Sequence, residues 1–181
     1  MNFVIYSDFN GVYNITPSSN TTRARISTHN SEILSHKTRI NWNPESVQLI
    51  SQLLSTGCFD FIWHTTWNDG ANICKVAEIM GLANLVQHSP ANFDVKAKGY
   101  KAWTQWKADY IIAHQQHNPR PFVWIDDKAP QFWEDHVRGN TLAPSLVIQP
   151  NSHNGLELKH IIRILDWAKE HLDWNKRKSG I

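Results

Sequence analysis

Short apolar runs punctuate the chain, and the polar residues that follow them carry most of its chemistry. Phe3-Val4-Ile5-Tyr6 leads into Ser7-Asp8, and Phe59-Asp60-Phe61-Ile62-Trp63 leads into His64-Thr65-Thr66. Phe122-Val123-Trp124-Ile125 runs directly into Asp126-Asp127, and Ser145-Leu146-Val147-Ile148 is ended by Pro150. Short runs with little polar interruption, rich in β-branched and aromatic residues, read as strands buried on both faces. Leu85-Val86 is a shorter run of the same kind and predicts an edge strand.

Between the runs the apolar spacing changes to that of a helix. Asn43 caps and Pro44 opens a helix whose face is Val47, Ile50, Leu53 and Leu54, with Gly57 past its end. A second helix is predicted from about Asn68 to Met80, with Ile73, Val76, Ala77 and Met80 inward. Trp103, Trp106, Tyr110 and Ile111 describe a third from Tyr100 to His114, stopped by Pro119 and Pro121. The last is predicted to be capped by Asn154 with Glu157 at the capping-box position, and Ile161, Ile164, Leu165, Ala168 and Leu172 inward. Strands alternating with helices predict an α/β fold: a mostly parallel sheet with helices on both faces. The expectation is one domain over 1–175 with a basic tail at 176–181.

Residues 14–42 break the rhythm. They are polar, rich in Ser, Thr and Asn, and carry Arg23, Arg25, His29, His36, Lys37 and Arg39. A structureless loop of that length is improbable inside a compact domain, and Arg23-Ala24-Arg25-Ile26-Ser27 alternates as a strand does, so a flap inserted after strand 1 is predicted.

Composition narrows the class without naming a function. At 181 residues with 41% apolar and 19% charged side chains, the chain can bury a full core. A formal net charge of +2 permits a polyanionic partner without demanding one. Cys58 and Cys74 lie far apart with no ligand spacing, and no run approaches a membrane span, so a soluble cytoplasmic protein with reduced thiols is expected. The ten histidines include His114 and His117 but form no convincing zinc pattern.

In a parallel sheet the strand ends share one edge, so Asp8, Thr65 and Asp126-Asp127 can meet in one crevice although they are far apart in sequence. A carboxylate nucleophile attacking an anionic phosphoryl group needs a screening cation, and the hard oxygens of Asp8 and Asp127 suit Mg2+. A hydroxyl and an ammonium would hold the remaining phosphoryl oxygens. Local alternatives stay open at this level. Asn10-Gly11 between apolar residues is also a hairpin signal, and aspartate pairs at strand ends also serve as helix caps.

The residues Asp8-Phe9-Asn10-Gly11-Val12, Thr65 and Trp124-Ile125-Asp126-Asp127 resemble motifs one, two and four of the haloacid dehalogenase (HAD) phosphohydrolase superfamily. More closely, the chain resembles the HAD domain of Swiss-army-knife RNA repair proteins. The shared features are Asn14, Trp63-His64-Thr65-Thr66-Trp67 with Ala71-Asn72, Trp106-Lys107, Trp133, Gly155-Leu156, His160 and Trp167. The resemblance covers nearly the whole chain. It implies a Rossmann-like fold and a Mg2+-dependent phosphotransferase in which Asp8 forms an aspartyl-phosphate. It further implies Asp8 as nucleophile and metal ligand, the carbonyl of Asn10 and Asp127 as further ligands, and Asp126 sharing that role or orienting its water shell. Thr65 would bind the phosphoryl group, Thr66 would contribute to substrate binding, and Lys107 would supply the ammonium, with Lys98 and Lys101 as competitors.

One position departs from the family pattern. Phosphatases of this superfamily usually carry a second aspartate where this chain has Asn10, and an amide cannot exchange a proton at neutral pH. Three explanations stay open: a substrate whose leaving group needs no proton, a domain that binds phosphate without chemistry, or an amide introduced in place of a native acid. Arg23, Arg25 and Lys101, with Tyr100, Trp103 and Trp106, mix positive charge and flat rings as single-stranded nucleic-acid sites do, although a solvated helix face over a tryptophan-rich core has the same composition. The resemblance shifts the expectation toward phosphorylated nucleic-acid ends or nucleotides. Attack on carbon, as in dehalogenases, is disfavoured by the Asp126-Asp127 pair, because that chemistry needs no metal.

Overall fold

The structure, a computed structural model, describes residues 2–16, 27–31, 38–67, 71–82, 86–88, 95–129, 136–137 and 139–174; at 27–31, 38–39, 71–72, 86–88 and 95–103 it describes the backbone alone. Strand β1 (Phe3–Ser7) is flanked by β4 (Phe59–Trp63) and β6 (Phe122–Ile125), both parallel to it. Outside them lie β5 (Val86–His88), next to β4, and β7 (Ser145–Ile148), next to β6. The order of this five-stranded parallel sheet is β5-β4-β1-β6-β7. Every residue of β1 and β6 is buried, whereas the edge strand β7 alternates buried and half-buried positions. This is the difference expected between central and edge strands of a sheet covered on both faces.

Helices α1 (Pro44–Ser55), α2 (Ala71–Met80) and α4 (Leu158–Glu170) contribute to one core with Phe3, Ile5, Phe61 and Trp63, while α3 (Val95–His117) covers the opposite face against Val4, Tyr6, Ile62, Phe122 and Trp124. The two-residue alternation of β1 thus sends Phe3 and Ile5 one way and Val4 and Tyr6 the other. Asn43 caps α1 as expected, its Oδ1 accepting from the Glu45 N–H at 3.0 Å. Between β1 and α1 stands an antiparallel ribbon of β2 (Ser27–Ser31) and β3 (Thr38–Trp42), the insert expected after the first strand. The alternating residues Arg23 to Ile26 lie outside the described residues. Among the described residues no helix is long and apolar enough to cross a membrane.

One open alternative is closed and two sequence expectations are corrected. The Phe3–Val12 segment is not a hairpin, because β1 pairs with β4 and β6 in parallel and the chain turns through residues 11–13 instead. Helix α4 begins at Leu158 with Glu157 as its N-cap, not at Asn154. Residues 151–155 form a separate turn, Gly155 there adopts φ 71°, and the Leu156 N–H donates to the Val12 carbonyl at 2.9 Å. A Cβ at Gly155 would lie 2.5 Å from the Val12 oxygen, so the close approach of this turn to the β1 loop requires glycine. The inward face of α4 is also narrower than predicted: Ile161, Ile164 and Ala168 are buried, but Leu165 and Leu172 are 37% and 61% exposed.

The buried stripe of α3 differs in kind. It consists of Thr104, Lys107, Ala108, Ile111 and Gln115, spaced as one helical face, while Trp106 and Tyr110 flank it half-buried. Two of the three polar residues in that stripe, Lys107 and Gln115, find partners at the sheet. Gln115 donates to the Tyr6 hydroxyl at 3.0 Å and accepts from the Arg120 N–H at 3.0 Å. Lys107 reaches the carboxyl edge of the sheet.

Candidate active site

The backbone ladder continues one residue beyond each central strand. The Asp8 N–H donates to the Ile125 carbonyl at 2.8 Å, His64 N–H to the Ser7 carbonyl at 2.8 Å, and Asp126 N–H to the Ile148 carbonyl at 3.1 Å. Extended alternation therefore carries past the strand ends, and Asp8, His64 and Asp126 fall in register with Tyr6, Ile62 and Trp124, on the face covered by α3. This places two acids and an imidazole opposite the buried stripe that contains Lys107.

The Lys107 ammonium lies 2.7 Å from Asp8 Oδ2 and 2.6 Å from Asp126 Oδ2, and all three side chains are buried. Asp8 also accepts from the Phe9 N–H at 2.7 Å and from the Thr65 hydroxyl. Asp126 uses its other oxygen to accept from the Lys128 N–H at 2.8 Å, which orders the turn after β6. Asp127 is less buried, with the Lys128 ammonium 3.3 Å away at the rim. One oxygen from each of Asp8, Asp126 and Asp127 lies within 4.8 Å of the others.

Electrostatics make this an unusual place for three acids. Burial raises the Asp8 carboxyl above the ordinary carboxylate value; Lys107 opposes the shift and Asp126 adds to it. Asp127 is raised as well, again chiefly by burial, with Lys128 offsetting part of it. Burial alone would lower the Lys107 ammonium, but Asp8 and Asp126 outweigh it and hold the proton on. Lys107 and Lys128 together leave one negative charge of the trio uncompensated. Hard oxygen donors carrying excess negative charge are the set that a small divalent cation suits, so the residues present fit Mg2+.

Neighbouring residues fix these groups in place. His64 is pushed down to about 3 by burial and by the Lys107 charge, so its ring is neutral. A carbonyl can only accept, so His64 Nε2 carries the proton and donates to the Lys107 carbonyl at 2.8 Å. The turn of helix that bears the ammonium is thereby tied to the strand end that bears Thr65. His64 also stacks on Tyr110 with ring centroids 4.9 Å apart. Gly11, at φ 75°, passes against Asp127: a Cβ there would lie 2.5 Å from Asp127 Cγ. Gly11 is thus explained by contact with an acid, and Asn10 by its bond from Asn14, rather than by a hairpin turn.

Of the residues singled out from sequence, Asp8, Thr65, Lys107, Asp126 and Asp127 come together, and Thr66 follows half-buried in the turn after β4. Asn10 is exposed on the β1 loop, where its Oδ1 accepts from Asn14 Nδ2 at 2.8 Å. Arg23, Arg25 and Trp133, and the side chains of Lys98 and Lys101, lie outside the described residues. Sequence reasoning missed the second bond of Asn14, whose Oδ1 accepts from the Asn41 N–H of β3 at 3.0 Å. No local pattern announces it, because the partners are far apart in the chain and meet only when the ribbon docks.

In comparison with known families, the model of the HAD domain in Swiss Army Knife RNA repair proteins aligns with residues 4–161. The matched span includes Asp8, Asn10, Asn14, Thr65, Lys107, Asp126, Asp127 and Gly155. Comparison with curated proteins finds no match.

Proposed function

Because the chain belongs to the family of HAD domains found in Swiss Army Knife RNA repair proteins, we propose that it is a Mg2+-dependent phosphatase or phosphotransferase acting on phosphorylated nucleic-acid ends or nucleotides. The observation that carries this reading is the approach of Asp8, Asp126 and Asp127 to within 4.8 Å, with Lys107 bridging the first two. Asp8, Asp127 and the Asn10 carbonyl would hold the ion, with Asp126 as a further ligand or as the anchor of its water shell. When bound, Mg2+ supplies the positive charge that lets an anionic carboxylate approach an anionic phosphoryl group.

The chain's own residues divide the remaining work. Asp8 presents one oxygen to phosphorus while the Phe9 N–H holds the other, which fixes the angle of attack. Thr65 and Lys107, already bonded to Asp8, turn to the phosphoryl oxygens as charge develops on them. His64 keeps Lys107 at that height without competing for the proton, since its ring stays neutral. Attack breaks the bond from phosphorus to the leaving oxygen and forms an aspartyl-phosphate on Asp8, which water or an acceptor hydroxyl then opens.

The test is phosphate release from 5′- and 3′-phosphorylated oligonucleotides and from nucleotides. Turnover is expected with Mg2+, falling to background in Asp8→Ala and on chelation. Turnover retained in Asp8→Ala refutes the proposal. Asn10 favours a second reading, a phosphate-binding module without chemistry. Asn10→Asp separates the two: general acid catalysis is typically worth ~10² to 10⁴-fold, and a gain of that order marks a complete site lacking one proton donor. No gain favours the binder.

A further inference from the structure

Resting on the reading above, the geometry points to Asn10 as a fixed hydrogen-bond donor to the leaving group, and hence to terminal phosphoanhydrides as the substrate class. The amide orientations follow from a chain of partners. The Asn41 backbone N–H can only donate, so the Asn14 atom facing it at 3.0 Å is Oδ1. The other end of Asn14 is therefore its NH2, which donates to Asn10 at 2.8 Å, and the Asn10 atom receiving it is Oδ1. The NH2 of Asn10, an exposed residue two positions after Asp8, meets no hydrogen-bond partner among the described residues and is the half left for an incoming molecule.

The chain of partners is held on both sides. The Gly11 N–H donates to the Asn14 carbonyl at 2.9 Å, and the Ile15 N–H to the Asn41 carbonyl at 2.8 Å, so the β1 loop and β3 are bound by backbone as well as by side chain. Asn14 is thus a positioning residue that links the inserted ribbon to the orientation of Asn10. A donor at that position stabilises a departing anion but transfers no proton. In the first step an Asp8 oxygen bonds to phosphorus, the bridging P–O bond breaks, and its electron pair stays on the leaving oxygen with the Asn10 N–H hydrogen-bonded to it. A phosphate departing from an anhydride is stable as that anion. A sugar alkoxide departing from a monoester is not, and no residue at position 10 protonates it. The site therefore takes di- or triphosphate ends in preference to monophosphate ends.

The test compares phosphate release from a nucleoside 5′-diphosphate with that from the 5′-monophosphate of the same base. The diphosphate is expected to be favoured on the order of 10² to 10⁴-fold, the factor a missing general acid leaves on the ester. Asn10→Ala should lower diphosphate turnover on the order of 10- to 100-fold, the usual worth of a hydrogen bond to a charged group. Asn14→Asp is the sharper variant. It keeps an acceptor for the Asn41 N–H but cannot donate, so Asn10 must turn its NH2 toward residue 14 and present oxygen outward. Diphosphate turnover should then fall as in Asn10→Ala, and Asn14→Asp added to Asn10→Ala should change nothing further. A lost fold would lower the melting temperature along with turnover, whereas lost orientation lowers turnover at an unchanged melting temperature. If Asn14→Asp does not fold, the exposed Asn10→Ala reads the donor's contribution alone. Equal turnover of the two nucleotides, or diphosphate turnover that Asn10→Ala leaves unchanged while Asp8 still becomes phosphorylated, overturns this inference alone. No phosphate released from either nucleotide and no phosphoryl group on Asp8 overturns it together with the reading it rests on.

Discussion

The same strands carry polar groups at both ends, and the two ends are built differently. At the amino edge, Asp60 of β4 accepts from Asn2 at 3.0 Å and is paired with the Arg120 guanidinium, one acid against one base, both partly exposed. At the carboxyl edge, Asp8 and Asp126 share the single buried ammonium of Lys107, and Asp127 brings a third carboxylate to the same place. The amino-edge pair keeps contact with water, so ionisation there costs little and pairing contributes little. The carboxyl-edge cluster has lost its water and keeps excess charge, an arrangement that opposes folding unless a ligand completes it. The difference separates a surface interaction that fastens neighbouring strands from a site held ready for something the chain does not itself supply.

The largest way to break this contrast is to remove the one base that both buried acids share. Lys107→Met leaves Asp8 and Asp126 facing each other in the interior, and breaking a buried pair in this way typically costs about 3–5 kcal/mol. For a chain of this size that is a fall of roughly 6 to 20 °C in melting temperature by scanning calorimetry. Mg2+ should recover part of the loss, since an ion at 100 times its dissociation constant stabilises the native state by about 2.7 kcal/mol. A Lys107→Met protein as stable as the parent without Mg2+ would mean that the acids are not held apart by this ammonium, and the comparison would fail.

Much of this site was legible before any coordinates, and the limits have physical causes. Buried central strands leave a clear trace because both faces must be apolar, so β1, β4 and β6 could be read from their runs and the residues just past them placed at one edge. The choice among Lys98, Lys101 and Lys107 could not be read the same way. Helix α3 buries Thr104, Lys107 and Gln115 beside Ala108 and Ile111, so its inward face is polar in part and apolar periodicity points instead to the flanking Trp106 and Tyr110. The start of α4 was misread for another reason. Asn154 has the chemistry of a cap, but residues 151–155 are used to bind the β1 loop, and Glu157, whose N–H donates to His160 Nδ1 at 3.0 Å, begins the helix instead. In each case a tertiary partner outweighed a local preference.

A smaller effect of opposite sign sharpens the contrast. Asp8→Asn removes one of the crowded carboxylates while preserving shape, so it should stabilise the protein in the absence of divalent cation by about 1 kcal/mol, or roughly 2 to 4 °C, while abolishing turnover. The sign follows from the direction of the shift. Burial raises Asp8 in the folded state, so its ionisation works against folding as pH rises through the shifted value. The gain should be full only above the raised value and fade as pH falls toward the ordinary value of 3.8. Mg2+ should stabilise the parent but do much less for this variant, which a melting series with and without the ion would show. A variant destabilised at neutral pH would mean that Asp8 is a net structural asset, and the carboxyl edge would then resemble the amino edge.

The smallest effect belongs to the amino edge, and its smallness is the point. Burial alone would raise Asp60, but its bonds from Asn2 and Arg120 outweigh this and hold the carboxyl below its ordinary value. A lowered acid contributes stability above its unfolded value and loses it as pH falls through the folded one, so this contribution should disappear in the acid range below about 4. Arg120→Ala should therefore cost no more than about 1 kcal/mol at neutral pH and less still in acid, with phosphate release and the response to Mg2+ unchanged. Denaturant titrations at pH 7 and pH 3, with and without the ion, measure both quantities. If Arg120→Ala altered the Mg2+ response, the two ends would be coupled through the strands between them. An unchanged response, beside the Mg2+ rescue of Lys107→Met, is what independence of the two edges requires.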